Sequence, residues 1–291
     1  MDTLINSPYL QPRSFLFFVA ITFTFTFVRY LIFSGALHYV CLVWFRKFFQ
    51  NRIINHVPID RAQMRREIGH SAIASLIFSL LFGVTIVLWQ AGYTRIYLHW
   101  NDYPLWYHPL SLLGAMLLHE TYYYWLHRWM HLPKVYRLLH QWHHESIHTS
   151  AMTAFSFHPL EAGLQAIFLP VLIVFLPMHL FVLFFLLLVM TISGTINHSG
   201  IEMYPKKFER HWLGKWLIGA THHDLHHKKF QYNFGLYFTF WDRWMKTEAP
   251  GFEKLFREKT SGKEEQNIQY PISNIQYPNI PSPPTSSPEI H

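Results

Sequence analysis

Four apolar stretches constrain this chain more than anything else in it, because each is too long and too poor in charge to face water. They run from Phe15 to Phe45, His70 to Trp89, Leu110 to Trp125, and Ala162 to Ile196. About 20 apolar helical residues cross the roughly 30 Å hydrocarbon core of a bilayer, so the second stretch fits one crossing. The first is longer and carries Arg29 near its middle. It reads either as a tilted helix whose arginine snorkels or as a span with an interfacial preface. The fourth is too long for one untilted crossing and is interrupted by Pro170 and Pro177, which predicts a helical hairpin bending near Pro177 to His179. The expected fold class is an all-α integral membrane protein. It has about four transmembrane helices (two spans, a third span and a helical hairpin) and a cytosolic helical cap.

Orientation follows from where lysine and arginine gather beside the spans. Arg46, Lys47, Arg52, Arg61, Arg65 and Arg66 lie between the first two stretches, whereas Arg95 alone lies between the second and third. The first connection is therefore expected in the cytoplasm, and counting crossings puts 127–160 and 197–250 on the same side. Met1 to Arg13 lacks the basic, apolar and small-residue order of a cleaved signal peptide, so the first helix is expected to act as its own insertion signal. The net charge of +7 belongs to these membrane-flanking clusters, which argues against nucleic acid as a partner. From Lys263 the chain turns polar and rich in proline and serine, with a near-repeat at Asn267 to Pro271 and Asn274 to Pro278. Two units are expected: 1–262, membrane-embedded, and 263–291, a disordered low-complexity tail.

Histidine is the second unusual feature. The chain has 21, and 15 fall between His119 and His227. His127 and His131 are four apart and share a helix face. His140, His143 and His144 form a second group, and His223, His226 and His227 a third, each at i, i+3 and i+4. Three short helices can thus aim eight rings inward. Eight donors are too many for one four-coordinate ion but suit two first-row ions with positions left for oxygen. Lone histidines in an apolar chain are more often packed or hydrogen-bonded than ligands, and His38, His56, His70, His99, His108, His179 and His291 are read that way. His198, at the expected return of the hairpin, is a further candidate ligand. His119, His148, His158, His211 and His222 are weaker ones.

Carboxylates are scarce here, and no paired Glu-x-x-His motifs are placed on two helices as a carboxylate-bridged di-iron bundle requires. Nitrogen is therefore expected to hold the metal, with Glu120, Glu145 and Asp224 as acceptors for ligand N–H groups and Glu202 as a ligand or carboxylate partner of His198. The one cysteine, Cys41, excludes a disulfide framework, iron–sulfur clusters and multi-cysteine zinc sites. It lies in a span, so no thiolate is offered to a haem, and no Gly-x-Gly-x-x-Gly loop offers a dinucleotide site. Redox electrons would have to come from a partner. Lys206, Lys207, Arg210, Lys215, Lys228 and Lys229 could dock an acidic carrier or meet lipid headgroups.

The quoted residues form a pattern: YWLHRWMH from Tyr124 to His131, HQWHH from His140 to His144, FSFHPLE from Phe155 to Glu161, HHDLHH from His222 to His227, and YNFGLYFTFWDR from Tyr232 to Arg243. It resembles the fatty acid hydroxylase and sterol desaturase superfamily over roughly 30–250, and within it the lathosterol oxidase, or sterol C-5 desaturase, branch. Gln63 to Ile68 and Leu164-Gln165 add to the likeness. The resemblance implies a non-haem di-iron, O2-dependent membrane oxidoreductase that desaturates or hydroxylates a lipid, sterol-like or otherwise long and apolar. Electrons would come from a donor such as cytochrome b5 or a ferredoxin. It implies His127, His131, His140, His143, His144, His223, His226 and His227 as metal-holding catalytic residues, with His198 as a ninth ligand. Two iron ions are the implied cofactor, with zinc as the stand-in ion in purified material. Glu202 stands where the superfamily often has a second histidine, and Ser199 where sterol desaturases usually have aspartate. The implied membrane is the endoplasmic reticulum in a eukaryote and the cytoplasmic membrane in a bacterium. A membrane zinc or transition-metal protein, transporting or hydrolytic, is the competing class.

Overall fold

A computed structural model describes residues 11–261; the repeat-bearing tail from Lys263 lies outside the described residues. The protein is mostly helical. α1 (Pro12–Leu37) opens on a proline, which is tolerated at a first helical position because its missing N–H would have no helical partner there. It passes directly into a wider π-helical segment, His38–Trp44. α2 (Arg61–Gln90) begins where the Asp60 carboxylate accepts a hydrogen bond from the Gln63 N–H at 2.6 Å. Its buried positions include Ser71, Ala74, Ser75, Ser79 and Gly83, and these small residues let α1 come close. A Cβ on Gly83 would lie 2.7 Å from the Phe15 ring.

Besides short turns such as Arg46–Phe49 and Pro133–Val135, the helices that follow are α3 (Tyr107–Met130), α4 (Gln141–His144), α5 (Pro159–Ala166), α6 (Phe168–Phe175), α7 (Leu180–His198), α8 (Ala220–Lys229), α9 (Phe240–Trp244) and α10 (Phe252–Ser261). The predicted bend is present. The helix breaks between α6 and α7 at 176–179, where β2 (Met178–His179) pairs in parallel with β1 (Ile96–Tyr97). His179 then caps α7 by accepting from the Phe181 N–H at 3.2 Å. Phe168, Leu172, Ile173, Met178, Leu183 and Leu186 form the apolar core of this hairpin and close on Ala115 of α3.

Among the described residues, three helices are long and apolar enough to cross a membrane by length and composition: Pro12–Trp44, Arg61–Gln90 and Leu180–His198. The expectation of about four differs from this in two places. The third apolar stretch lies within α3, but that helix buries His108, Ser111, His119, Glu120 and His127, so its inner side is polar. The first arm of the hairpin, Pro159–Phe175, is a shorter apolar segment. Its 17 residues reach only about 25 Å at 1.5 Å per residue.

One end of the bundle is tied together by polar contacts. The Tyr30 hydroxyl donates to the Met152 carbonyl at 2.8 Å and the Ser34 hydroxyl to the Ala151 carbonyl at 2.9 Å. The buried Glu67 carboxylate of α2 accepts from Ser146, Ser150 and Thr153 at 2.7, 2.7 and 2.9 Å, and from the Gln63 amide at 2.8 Å. These bonds hold the 146–155 segment across α1 and α2, beside the C-terminal ends of α3 and α7.

Candidate metal centre

Nine histidines converge at that end in two groups. His127, His131, His140, His144 and His226 form one; His143, His198, His223 and His227 form the other. Within each group the ligating atoms lie within 4.8 Å of one another. The eight box histidines and His198 are therefore all brought together. The expected sharing of one face by i, i+3 and i+4 is not what the structure shows. In α4 and the π turn before it (Tyr136–His140), His140 and His144 go to the first group and His143 to the second. In α8, His223 and His227 go to the second group and His226 to the first. Rings four apart share a group while the ring between them turns to the other, because α4 and α8 each lie between the two groups.

The ring nitrogens turned away from the groups are held by acceptors. Nδ1 of His127 meets the Phe234 carbonyl at 2.9 Å, that of His143 the Ser156 carbonyl at 3.3 Å, and that of His198 the Gly194 carbonyl at 2.7 Å. Nδ1 of His226 meets the Tyr232 carbonyl at 2.7 Å and that of His140 the Glu161 carboxylate at 2.8 Å. A carbonyl only accepts, so Nδ1 of His127, His143, His198 and His226 donates, as does that of His140 to an ionised Glu161, and each neutral ring presents a bare Nε2 lone pair inward.

These bare atoms face one another. Nε2 of His127 and His140 are 3.0 Å apart, and Nε2 of His143 and His198 are 3.1 Å apart. Two lone pairs at that distance repel unless a cation lies between them. Nitrogens about 2.1 Å from one ion and at right angles to each other are themselves about 3.0 Å apart, so the donor set fits a metal ion in each group. His144 to His226 at 3.1 Å and His223 to His198 at 2.8 Å repeat the spacing. His131 Nε2 and the Nδ1 atoms of His144, His223 and His227 are buried without a hydrogen-bond partner, a cost that metal coordination would relieve at His131. Burial, reinforced by neighbouring rings, pushes the imidazoles of His140, His144, His223 and His227 well below their usual value. They stay neutral, as metal ligands must.

The other predicted candidates fall elsewhere. His119 bonds the Tyr237 hydroxyl at 2.8 Å, His158 caps α5, and His222 stacks on Phe252 with ring centroids 3.5 Å apart. His148 and His211 also lie outside both groups. The expected acceptor carboxylates are corrected too. Glu120 accepts from the backbone N–H groups of Leu236, Tyr237 and Phe238 at 2.6–3.2 Å, which fixes the loop after α8 rather than a ligand ring. Asp224 bonds Asn55 and Lys228, and Glu145 pairs with Arg66 at 3.6 Å on the surface. Glu202 is not in either group; it accepts from the Thr221 N–H and hydroxyl at 3.1 and 2.6 Å, at the start of α8. The acceptor role falls to Glu161 and to backbone carbonyls, which the sequence reading missed. Its signal was Glu161 itself, three residues after His158 in the FSFHPLE motif.

An apolar cavity of about 630 Å³ reaches from between α1, α2, α6 and α7 to His198. Phe18, Phe82, Phe155, Phe157, Phe168 and Phe184 are among its walls. Phe157 also packs on the His143 ring, with centroids 5.0 Å apart. The cavity therefore ends on the four-ring group.

A family model described as fatty acid hydroxylase matches residues 112–247, the segment that carries every one of the nine rings. Among the curated proteins that the chain resembles are ones named Delta(7)-sterol 5(6)-desaturase and lathosterol oxidase. The chain is 28% identical over 220 residues to a Delta(7)-sterol 5(6)-desaturase of Gibberella zeae, covering 75% of this chain and 65% of that protein. It is 28% identical over 197 residues to the human lathosterol oxidase, covering 67% and 64%. It is 27% identical over 250 residues to the Delta(7)-sterol 5(6)-desaturase of Candida albicans, covering 83% and 61%. The chain thus spans a little under two thirds of the length of these relatives. No solved structure matches it.

Proposed function

We propose that this chain is a non-haem di-iron, O2-dependent membrane oxidoreductase that desaturates or hydroxylates a lipid, sterol-like or otherwise long and apolar, with residues up to 262 as its membrane-embedded unit. One observation carries the reading: two groups of inward-facing imidazoles with bare nitrogens at ligand spacing, one of which closes the end of an apolar cavity. An unactivated C–H bond offers no carbonyl to polarise and no leaving group, so acid–base and nucleophilic catalysis have nothing to grip. Iron bound by His127, His131, His140, His144 and His226, and by His143, His198, His223 and His227, would supply the redox chemistry such a bond requires.

The chain's own residues do the rest. The Nδ1–H bonds to Phe234, Ser156, Gly194, Tyr232 and Glu161 keep five rings in one tautomer and one orientation, so little reorganisation accompanies a change of metal charge. The phenylalanine-lined cavity excludes water and presents one stretch of lipid to the His198 end. The basic residues of the α1–α2 connection lie at the histidine end, since Arg52 bonds the carbonyls of Glu202 and Tyr204 at 3.1 and 2.7 Å; this supports a cytoplasmic placement of the site. Lys206 and Lys207 are exposed near α8 and suit an acidic electron carrier such as cytochrome b5 or a ferredoxin.

The test is reconstitution of the purified protein with ferrous iron, reductant, an electron carrier and a lipid extract, followed by mass spectrometry. Iron- and O2-dependent loss of two hydrogens or gain of one oxygen, absent in a folded His143→Ala variant, is the expected result. Hydrolysis supported by zinc alone, with no oxidation of sterols or acyl lipids in the presence of iron, would overturn the proposal.

A further inference from the structure

Among the described residues, Arg29 is the only lysine or arginine side chain lining the cavity. Among the described residues, neither the cavity nor the groove beside it is lined by aspartate or glutamate. Its Nε is buried without a hydrogen-bond partner, and its guanidinium carbon lies 5.5 Å from the centre of the Phe25 ring. A guanidinium presents five donors and keeps its charge at all accessible pH values. Leaving it uncompensated against apolar walls is costly.

Its position is as informative as its charge. Ile21, Phe25 and Arg29 line both the internal cavity and a second groove, formed by the outer side of α1 with Leu188 of α7. The three residues are spaced four apart, so they stand one above another on a single helix face. They form the partition between the cavity and that groove, which is lined mainly by apolar residues, and Arg29 is the one charged residue in that partition.

We propose that the cavity takes a single lipid whose head is a carboxylate, entering between α1 and α7 and anchored by Arg29. This rests on the lipid-oxidising reading for what happens to the lipid, but the anchoring stands apart from it. A neutral alcohol head would give the guanidinium a hydrogen-bond acceptor and leave its charge unbalanced, whereas a carboxylate accepts two parallel N–H bonds and cancels the charge. The cavity, about 630 Å³, falls in the range of roughly 300–1,000 Å³ that encloses one small ligand. A two-chain phospholipid does not fit inside it whole.

The experiment is equilibrium binding to the full-length protein as purified, without reductant so that nothing turns over, in discs of neutral phospholipid. The probes are an 18-carbon fatty acid, the alcohol of the same chain, and cholesterol. Wild type is expected to bind the acid at least about tenfold more tightly than the alcohol, the size of one charge-assisted hydrogen bond. Arg29→Gln should bring the acid down to the affinity of the alcohol and leave the alcohol unchanged, while Arg29→Lys retains part of the preference. Equal binding of acid and alcohol by wild type, which requires no variant to fold, would overturn the proposal. So would competition by phosphatidate added to the discs, which would mean that Arg29 serves a bilayer phosphate instead. Failure of the iron-loaded protein to oxidise any lipid would sink the oxidative reading and leave the acid-over-alcohol ratio as it was.

Discussion

The two histidine groups share rings from the 136–144 segment and α8, but the five-ring group adds His127 and His131 from the end of α3 and the four-ring group adds His198 of α7, and they differ in what surrounds them. In the five-ring group, His127, His140 and His226 are pinned through Nδ1, and one of the pins is a buried carboxylate, Glu161. In the four-ring group only His143 and His198 are pinned, both by backbone carbonyls, and this group faces the apolar cavity. Under the proposed function this difference would divide the labour: the five-ring group would hold its ion within nitrogen, and the four-ring group beside the cavity would leave room for O2 and substrate.

The largest effect expected is at the substrate side. His198→Ala leaves three rings in the four-ring group and removes the one that lines the cavity. It should abolish lipid oxidation, a loss greater than the roughly 10–100-fold typical of an outer-shell change. His131→Ala leaves four rings in the other group and should cost less. Product formation by mass spectrometry, normalised to folded protein, measures both; equal losses would break the asymmetry.

Glu161→Gln sharpens it from the other side. It keeps the shape but weakens the acceptor for His140 Nδ1–H, so metal affinity should fall by about 10–100-fold in the five-ring group alone. A chelator titration read by metal content should then show one ion leaving early and the other on the wild-type curve. Simultaneous loss of both would mean the groups are coupled as one site.

Acid should act on both groups in the metal-free protein. The rings of His140, His143, His144, His223, His226 and His227 are all held below the usual imidazole value of 6.5, chiefly by burial. The unfolded chain therefore takes up protons first. Stability is complete above about pH 6.5 and is lost progressively as pH falls from there towards the depressed folded values. Bound metal should oppose this, because it competes with protons for the same nitrogens. Thermal unfolding with and without metal, from pH 7.5 to 4.5, checks the sign.

The smallest effect serves as a baseline. Glu145, next to His144 in sequence, only pairs with Arg66 at 3.6 Å where both are 40% exposed. Glu145→Ala should change stability by less than about 1 kcal/mol and leave both metal affinities alone.

Much of this was legible in the sequence. The apolar stretches at Phe15 to Phe45 and His70 to Trp89 show their helices directly, because about 20 uncharged residues admit few other readings. The hairpin bend at Pro177 was marked by a residue that cannot continue a helix. Clustering also pointed to the eight box histidines and His198. The partition into five and four was not legible, since a spacing of i, i+3 and i+4 says which rings share a face and nothing about two neighbouring sites on opposite flanks of that face. The carboxylates misled for a related reason. Glu120, Asp224 and Glu145 are close to ligands along the chain, but their partners come from Leu236 to Phe238, Asn55 and Arg66, contacts set by folding over long sequence separations. Glu67 went unassigned in the same way, because its partners at Ser146, Ser150 and Thr153 lie about 80 residues away.

X-ray absorption on the iron-loaded protein, combined with its metal content, tests the central claim most directly. The account predicts two iron ions per chain in a shell dominated by imidazole nitrogen at about 2.1 Å, with His198→Ala altering one of the two environments. A single ion per chain, or a shell dominated by carboxylate oxygen, would contradict it.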